Sequence, residues 1–318
     1  MSKQLSMVEA MLDPRLGSNE KLEAIAKSID WSRLGPIVGR IRSGETGRPP
    51  YAPLAMLKAL YLQRLYDLSD PALEEALLDR LSFRRFCGLS LEERTPDETT
   101  ICRFRAAAAE AGVMEACFAE IARQLEAKGL MLKRGTLMDA SIIKAKHNPP
   151  TREAGLGAKH PKEPGADWTY RQGRSTFGYK AHLGVDQGSG LIRRVVFTPA
   201  KVYESQVADA LIAGDERAVY GDKAYPQKER HARLKALGIK DRIRRRANKW
   251  HPALPRWRQR WNDLVARRRA PVEAVFSAMK RIYGLGRARC TTLARNAADV
   301  FAFAAIYNLR RATIRTPA

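Results

Sequence analysis

The chain has 318 residues, 45% hydrophobic and 29% charged, with 57 Lys and Arg against 34 Asp and Glu and a formal net charge of +23. That length accommodates two domains with real cores, and no apolar run reaches membrane-spanning length; the longest, around Val300–Leu309, reads as a core helix. A positive field of this size attracts a polyanion, nucleic acid before a membrane surface, because no long basic amphipathic helix with an aromatic apolar face is present.

The charge is uneven. Residues 1–130 carry 18 basic and 19 acidic side chains, while residues 131–318 carry 39 and 15. Between Lys240 and Arg289 there are 16 basic residues and three acidic ones, Asp241, Asp263 and Glu273. The opening segment MSKQLSMVEAMLDPR lacks the apolar stretch of a secretory signal, so a cytoplasmic, nucleoid-associated protein is expected. The four cysteines form no C-x2-C pair, and the histidines are scattered, with His147 and His160 in a loop-like stretch. Free, mostly buried thiols are expected, and no zinc site.

In chain order, the first 128 residues read as an all-helical domain. Pro49, Pro50 and Pro53 close an irregular stretch before a periodic helix carrying Leu54, Leu57, Leu60, Tyr61 and Leu65. Asp70 is expected to cap a second helix, with Pro71 at its first position and Leu73, Ala76, Leu77, Leu81 and Phe83 along it. Thr95-Pro96-Asp97 starts a third, which runs through Ile101 and Phe104 to Gly112. Short capped helices suit a helix-turn-helix module and a plain helical bundle equally well.

After Gly129 the pattern changes, and residues 129–318 are expected to form a second domain. Thr136–Ile143 is β-like and holds Asp139. Residues 144–177 are rich in Pro, Gly, Lys and Arg without apolar periodicity, and read as a long mobile basic insertion. Gly178–Val185 and Leu191–Thr198 read as strands joined by a hairpin signal, Asp186-Gln-Gly-Ser-Gly. Glu204–Ala213 is helical, Arg217–Gly221 strand-like, Gln227–Leu237 helical, Ile239–Ile243 strand-like, and Arg256–Tyr283 one long helix. The order predicts an α/β domain, a mixed sheet with helices on its faces.

On that last helix Arg269, Glu273 and Lys280 share one face, while Val272, Phe276, Met279 and Tyr283 form a separate apolar stripe. A carboxylate between two cations suits a place where metal and phosphate meet, and equally a solvated face of paired charges. Asp139 and Asp222 each interrupt an apolar strand-like run, where an unpaired carboxylate is costly to bury. Basic residues follow both: Lys144 and Lys146 after the first, Lys223 after the second. Gly221 lets the backbone approach closely just before Asp222.

From about Pro49 to Arg311 the chain resembles the DDE transposases of bacterial insertion sequences, specifically the insertion sequence five group. The resemblance rests on PPYAPLAMLKALYLQRLYDLSDPALEEALLDRLSFRRFCGLSL, DASIIKAK, TFGYKAHLGVDQGSG, GDKAY and RAPVEAVFSAMKRIYGLGRARC taken together. It implies a ribonuclease-H-like catalytic domain with Asp139, Asp222 and Glu273 as the acidic triad. It implies too that Arg269, Glu273 and Lys280 match R, E and K of the family's Y-R-E-K signature. The signature's tyrosine falls on Ala266, so the hairpin intermediate of relatives that keep the tyrosine is not carried over.

The chemistry implied is two-metal phosphoryl transfer, with two Mg2+ ions (Mn2+ tolerated) held by the triad and no covalent protein–DNA intermediate. The implied partner is double-stranded DNA, as terminal inverted repeats and target, bound by a homodimer or larger assembly. Arg269 and Lys280 are expected phosphate clamps, and Lys144, Lys146, Lys180, Lys223, Arg244 and Arg245 further DNA contacts. Trp250 and Trp257, set among arginines, read as stacking platforms or as core anchors. The rival functions are a catalytically silent DNA-binding protein and a metal-dependent nuclease without strand transfer.

Overall fold

A computed structural model of the chain describes residues 16–41, 51–150, 158–171, 173–247 and 253–315. Trp250 and part of the 144–177 segment lie outside them. The described residues form two compact units that part between Lys128 and Gly129.

The first unit is helical: α1 (Glu20–Ser28), a 3-10 turn, α2 (Gly35–Val38), α3 (Pro53–Leu65), α4 (Asp70–Asp79), α5 (Leu81–Cys87), α6 (Glu98–Glu110) and α7 (Val113–Ala127). Leu57, Tyr61, Leu62, Leu73, Leu77 and Phe83 are its buried centre. The helix expected across residues 70–83 is two, because the chain turns at Arg80. Its cap is Ser69, whose hydroxyl accepts from Ala72 N at 3.3 Å. Asp70 is instead tied to Arg105 and to Gln63 Nε2 at 2.6 Å. Asp97 does cap α6, accepting from Thr100 N at 2.6 Å. Cys87 and Cys117 are buried and pushed up to about 12 by that burial, whereas Cys102 is exposed on α6.

The second unit holds β1 (Thr136–Lys144), β2 (Asp167–Arg171), β3 (Arg174–Asp186), β4 (Ile192–Pro199), α8 (Glu204–Leu211), β5 (Ala218–Gly221), α9 (Lys228–Ala236), β6 (Lys240–Ile243), α10 (Arg256–Arg269) and α11 (Pro271–Arg281). The last helix, α12 (Leu293–Arg315), passes at Phe301 into the first unit, where Phe301 meets Phe118 at 6.0 Å. The apolar run that ends this helix, from Phe303 to Leu309, therefore completes the helical core rather than the α/β core expected to reach residue 318.

The sheet runs β4-β3-β1-β5-β6, antiparallel among β4, β3 and β1 and parallel among β1, β5 and β6, with β2 added to the start of β3. Three antiparallel strands followed by two parallel ones is the ribonuclease-H-like order. The 144–177 segment is thus partly ordered: β2 and the first four residues of β3 lie in it. Gly178 marks where β3 leaves β1, with φ of 156° and a backbone so close that a Cβ would run into the Ile143 carbonyl.

From Phe177 to Asp186 every residue of β3 is buried, and its polar side chains find their partners indoors except at His182 Nδ1, which has none. His182 Nε2 meets Thr198 Oγ1 at 3.0 Å, and burial, with Lys180 adding to it, holds the imidazole down at about 3. The unfolded chain binds a proton there below about pH 6.5 while the folded one does not, so His182 withdraws stability as pH falls from about 6.5 toward 3. His182→Asn keeps an amide for Thr198 and removes the titration. Chemical denaturation at pH 7 and pH 5 should show the variant losing less stability on acidification, by on the order of 1–2 kcal/mol. Equal losses would mean that His182 is charged in the fold.

Candidate active site

Strands β1 and β5 pair with Thr136 opposite Val219 and Leu137 opposite Tyr220. Carried on by two residues, that register sets Asp139 level with Asp222, just past the end of β5. Met138 is fully buried in the core with Val219 and Tyr225, and alternation turns Asp139 to the other face. Asp222 Oδ1 accepts from Ala224 N at 2.6 Å, which curls the chain away from the strand end. Gly221 keeps the packing close here, since a Cβ would lie 3.1 Å from Tyr225 Cβ and 3.3 Å from Met138 Cε.

Arg269 joins the site from the end of α10. Its Nη1 donates to Asp139 Oδ2 at 2.6 Å, and its Nη2 lies 3.6 Å from Glu273 Oε1. Burial raises the pKa of Asp139 and the Asp222 charge adds to the rise, while Arg269 and the Ala140 N–H act against it. Burial opposes the charge on Arg269 as well, yet Asp139, Asp222 and Glu273 together leave its pKa raised. The expected single helix is broken at Ala270, since Pro271 has no N–H to return to the preceding turn. Arg269 therefore ends one helix and Glu273 begins the next.

Glu273 stands 68% exposed. Among the described residues no three His, Cys, Asp or Glu side chains are gathered closely enough to hold a metal ion. The structure brings Asp139, Asp222 and Arg269 together and tethers Glu273 to them through Arg269. Asp139 and Asp222 offer the hard oxygen donors that a divalent cation takes, while Glu273 stays outside that pair in this arrangement.

The remaining candidates divide. Lys280 and Lys144 are exposed, and partial burial, then Arg171 and Lys144 beside it, lower the pKa of Lys280. Lys146 and Lys223 are exposed. Lys180 is not available to DNA: it is buried, donating to Val202 O at 2.9 Å and lying 3.4 Å from Glu204. Arg245 is turned inward to Asp241 at 3.0 Å, with its guanidinium 5.8 Å from the Trp261 ring. Arg244 follows β6 with its N–H on Gly221 O, and its buried Nε has no partner. Trp257 is 64% exposed on α10, which sets aside its reading as a core anchor.

Two residues of the site carried no individual signal in the sequence. Tyr225 is fully buried, its hydroxyl has no hydrogen-bond partner, and burial followed by the charges of Asp139 and Asp222 pushes its pKa well up. Arg230, also buried, clamps the Tyr225 carbonyl together with Asp209, at 3.0 Å, and Ser205 O, at 2.6 Å. The turn after Asp222 is thereby fixed from below.

A ribonuclease-H-like sheet with one aspartate on β1 and a second level with it, just past the end of β5, is the frame of a DDE nucleotidyl-transfer site. Residues 131–309 match the family described as Transposase DDE domain, and residues 10–107 match Transposase domain (DUF772). The chain belongs to the DDE transposases, enzymes that cleave DNA and transfer its strands, so DNA is its partner class and divalent metal ions are the cofactors this family uses. Among solved structures it aligns with a piggyBac transposase from a synaptic complex with hairpin DNA. The identity is 9% and the TM-score 0.41, over 94% of this chain and 77% of that one, a likeness too distant to bear on the site.

Arg269→Gln should leave the Asp139 carboxylate buried without its cation. A loss of about 3 kcal/mol is expected, or roughly 6–12 °C in the Tm of the metal-free protein. Mg2+ should recover more of that Tm in the variant than it adds to the parent. A Tm within a degree of the parent's would show that Asp139 does not depend on Arg269.

Proposed function

We propose that this transposase binds the terminal inverted repeats of its own insertion sequence, one of the insertion sequence five group. It cleaves the DNA 3′ ends and joins them to target DNA. What supports the reading is the level placement of Asp139 and Asp222, with Arg269 linking Asp139 to Glu273.

Asp139, Asp222 and Glu273 would hold two Mg2+ ions, with Mn2+ tolerated. Bound there, the ions would activate water or a 3′-hydroxyl for in-line attack and stabilise the leaving 3′-oxygen. Asp139 and Asp222 supply fixed carboxylates from neighbouring strands. Glu273, exposed at the start of α11, is the member free to turn inward. Arg269 balances their charge until then and afterwards offers its guanidinium to phosphate. Lys280, with the Lys144 charge acting on it, would give a second phosphate contact. The assembly is read as a homodimer or larger on DNA, in the cytoplasm and on the nucleoid. The helical unit serves end recognition or subunit pairing, since its charges cancel and it holds no member of the triad.

Replacing Asp139, Asp222 or Glu273 by Asn or Gln removes metal-binding charge at constant size. Each variant should lose Mg2+-dependent cleavage and joining of labelled ends while binding DNA as well as the parent, or slightly tighter, in metal-free mobility shifts. Lys280→Ala should weaken end binding or joining by about tenfold and retain some cleavage. Joining of a precut end separates a transposase from a plain nuclease. Substantial cleavage by the Asp222→Asn protein would remove Asp222 from the site and defeat the reading.

A further inference from the structure

The β2–β3 hairpin stands apart from the rest of the sheet in how its residues are used. Its register runs from Asp167 opposite Gly178 to Arg171 opposite Arg174, and among the described residues β2 has no strand partner but β3. The root is built in: Ala166 and Phe177 are buried, and the Trp168 ring packs on Phe177 at 5.4 Å and donates to Ala158 O at 3.3 Å. Beyond the root the ribbon is exposed. Tyr170 is 74% exposed, Arg171, Arg174 and Ser175 are exposed with it, and Gly173 takes the positive φ of 76° that closes a tight turn.

An exposed aromatic ring opposite Ser175, one step from an arginine pair at the ribbon's tip, is poorly explained by folding. From Trp168 to Phe177 there is no acidic residue. Lys144 lies at the root, where the next residue donates from its backbone to Phe177 O at 3.0 Å. Lys144 N donates to Gly286 O at 3.1 Å and Ala288 N donates to Lys144 O at 2.8 Å, so the hairpin's root lies against the chain that follows α11, where the charges of Arg171 and Lys144 add to burial in lowering the pKa of Lys280. The tip therefore belongs to the cationic side of the helix that bears Glu273.

We propose that this hairpin is a DNA-contacting arm, lying in a groove of the duplex beside the cleaved end, with Tyr170, Arg171 and Arg174 as its contacts. A two-stranded ribbon fits a B-form major groove about 12 Å wide, where arginine reaches phosphate and base edges and a tyrosine ring supplies apolar contact. The register along the duplex follows from α11. Glu273 and Lys280 are seven residues apart, about 10 Å of helix, or about three base pairs. The arm beyond Lys280 should touch DNA within roughly six base pairs of the scissile phosphate. The proposal rests on the transposase reading above.

The test uses the full chain with its own terminal-repeat DNA. A photo-crosslinking residue in place of Tyr170 should crosslink to the end duplex within that window. Tyr170→Ala combined with Arg171→Ala and Arg174→Ala should weaken end binding at least tenfold. The log–log salt slope should become shallower by about two, one for each arginine lost. Exposed tip positions leave Tm unchanged, and Tyr170→Phe alone should restore the aromatic contribution. Crosslinks to a second protomer or to distant DNA would overturn the proposal, as would unchanged affinity and slope in the triple variant. A parent protein that neither binds nor cuts its ends would instead overturn the reading of the site, so the two failures are distinguishable.

Discussion

Two carboxylates set level on neighbouring parallel strands repel each other wherever water is scarce. Burial then adds a desolvation cost for Asp139, which is why its pKa is raised despite a guanidinium in contact. The Arg269–Asp139 ion pair is what makes the arrangement tolerable without a metal. Arg269 reaches Asp139 from the end of α10, beside the break at Ala270, while Glu273 stays exposed.

Pro271 accomplishes this. On an unbroken helix Arg269 and Glu273 would be an ordinary exposed i,i+4 pair, worth a few tenths of a kcal/mol. The missing Pro271 N–H interrupts the helix between them, and Val272, Val275, Phe276 and Met279 pin the following helix to the core. Arg269 is left at a helix end, largely enclosed, with one amino group on Asp139 and the other toward Glu273. The same charge pattern that reads on a sequence as a solvated face is thus made into a site by one residue without a donor.

Much of this was legible beforehand, and the failures have physical causes. The strands of the second unit lie within a residue or two of their expected ends, except at β3, because period-two apolar patterns and turn residues act locally. The helix break was written in Pro271 but masked by an apolar stripe that stays in phase across it. β2 was missed because Asp167–Arg171 is short and sits amid Pro and Gly, with little apolar alternation to show it. Lys180 was misjudged because β3 is covered on both faces, so a lysine in it must find a carboxylate indoors, and Glu204 provides one. The burial of Tyr225 near the acidic pair, and the long-range pairing of Arg230 with Asp209, depend on tertiary packing that no local pattern encodes.

With 34 acidic residues in the chain, burial alone does not separate structural carboxylates from chemical ones, but the completeness of their hydrogen bonding does. Glu163, fully buried, accepts from the N–H groups of Lys146 and His147, from the Tyr179 hydroxyl at 3.0 Å, and contacts His147 Nδ1 at 3.1 Å. Asp186, equally buried, accepts from Leu132 N, Lys133 N and Ser189 Oγ at 3.0, 2.8 and 2.5 Å. Each is closed off by short-range donors and has little capacity for another ligand. Asp139 has one guanidinium and one N–H, Asp222 a single turn N–H, and Glu273 only a long contact to Arg269. Carboxylate lone pairs left over in that number, beginning with those of buried Asp139, are a standing demand for a small cation. The fold meets that demand provisionally with Arg269, a group that can exchange its carboxylate for a phosphate.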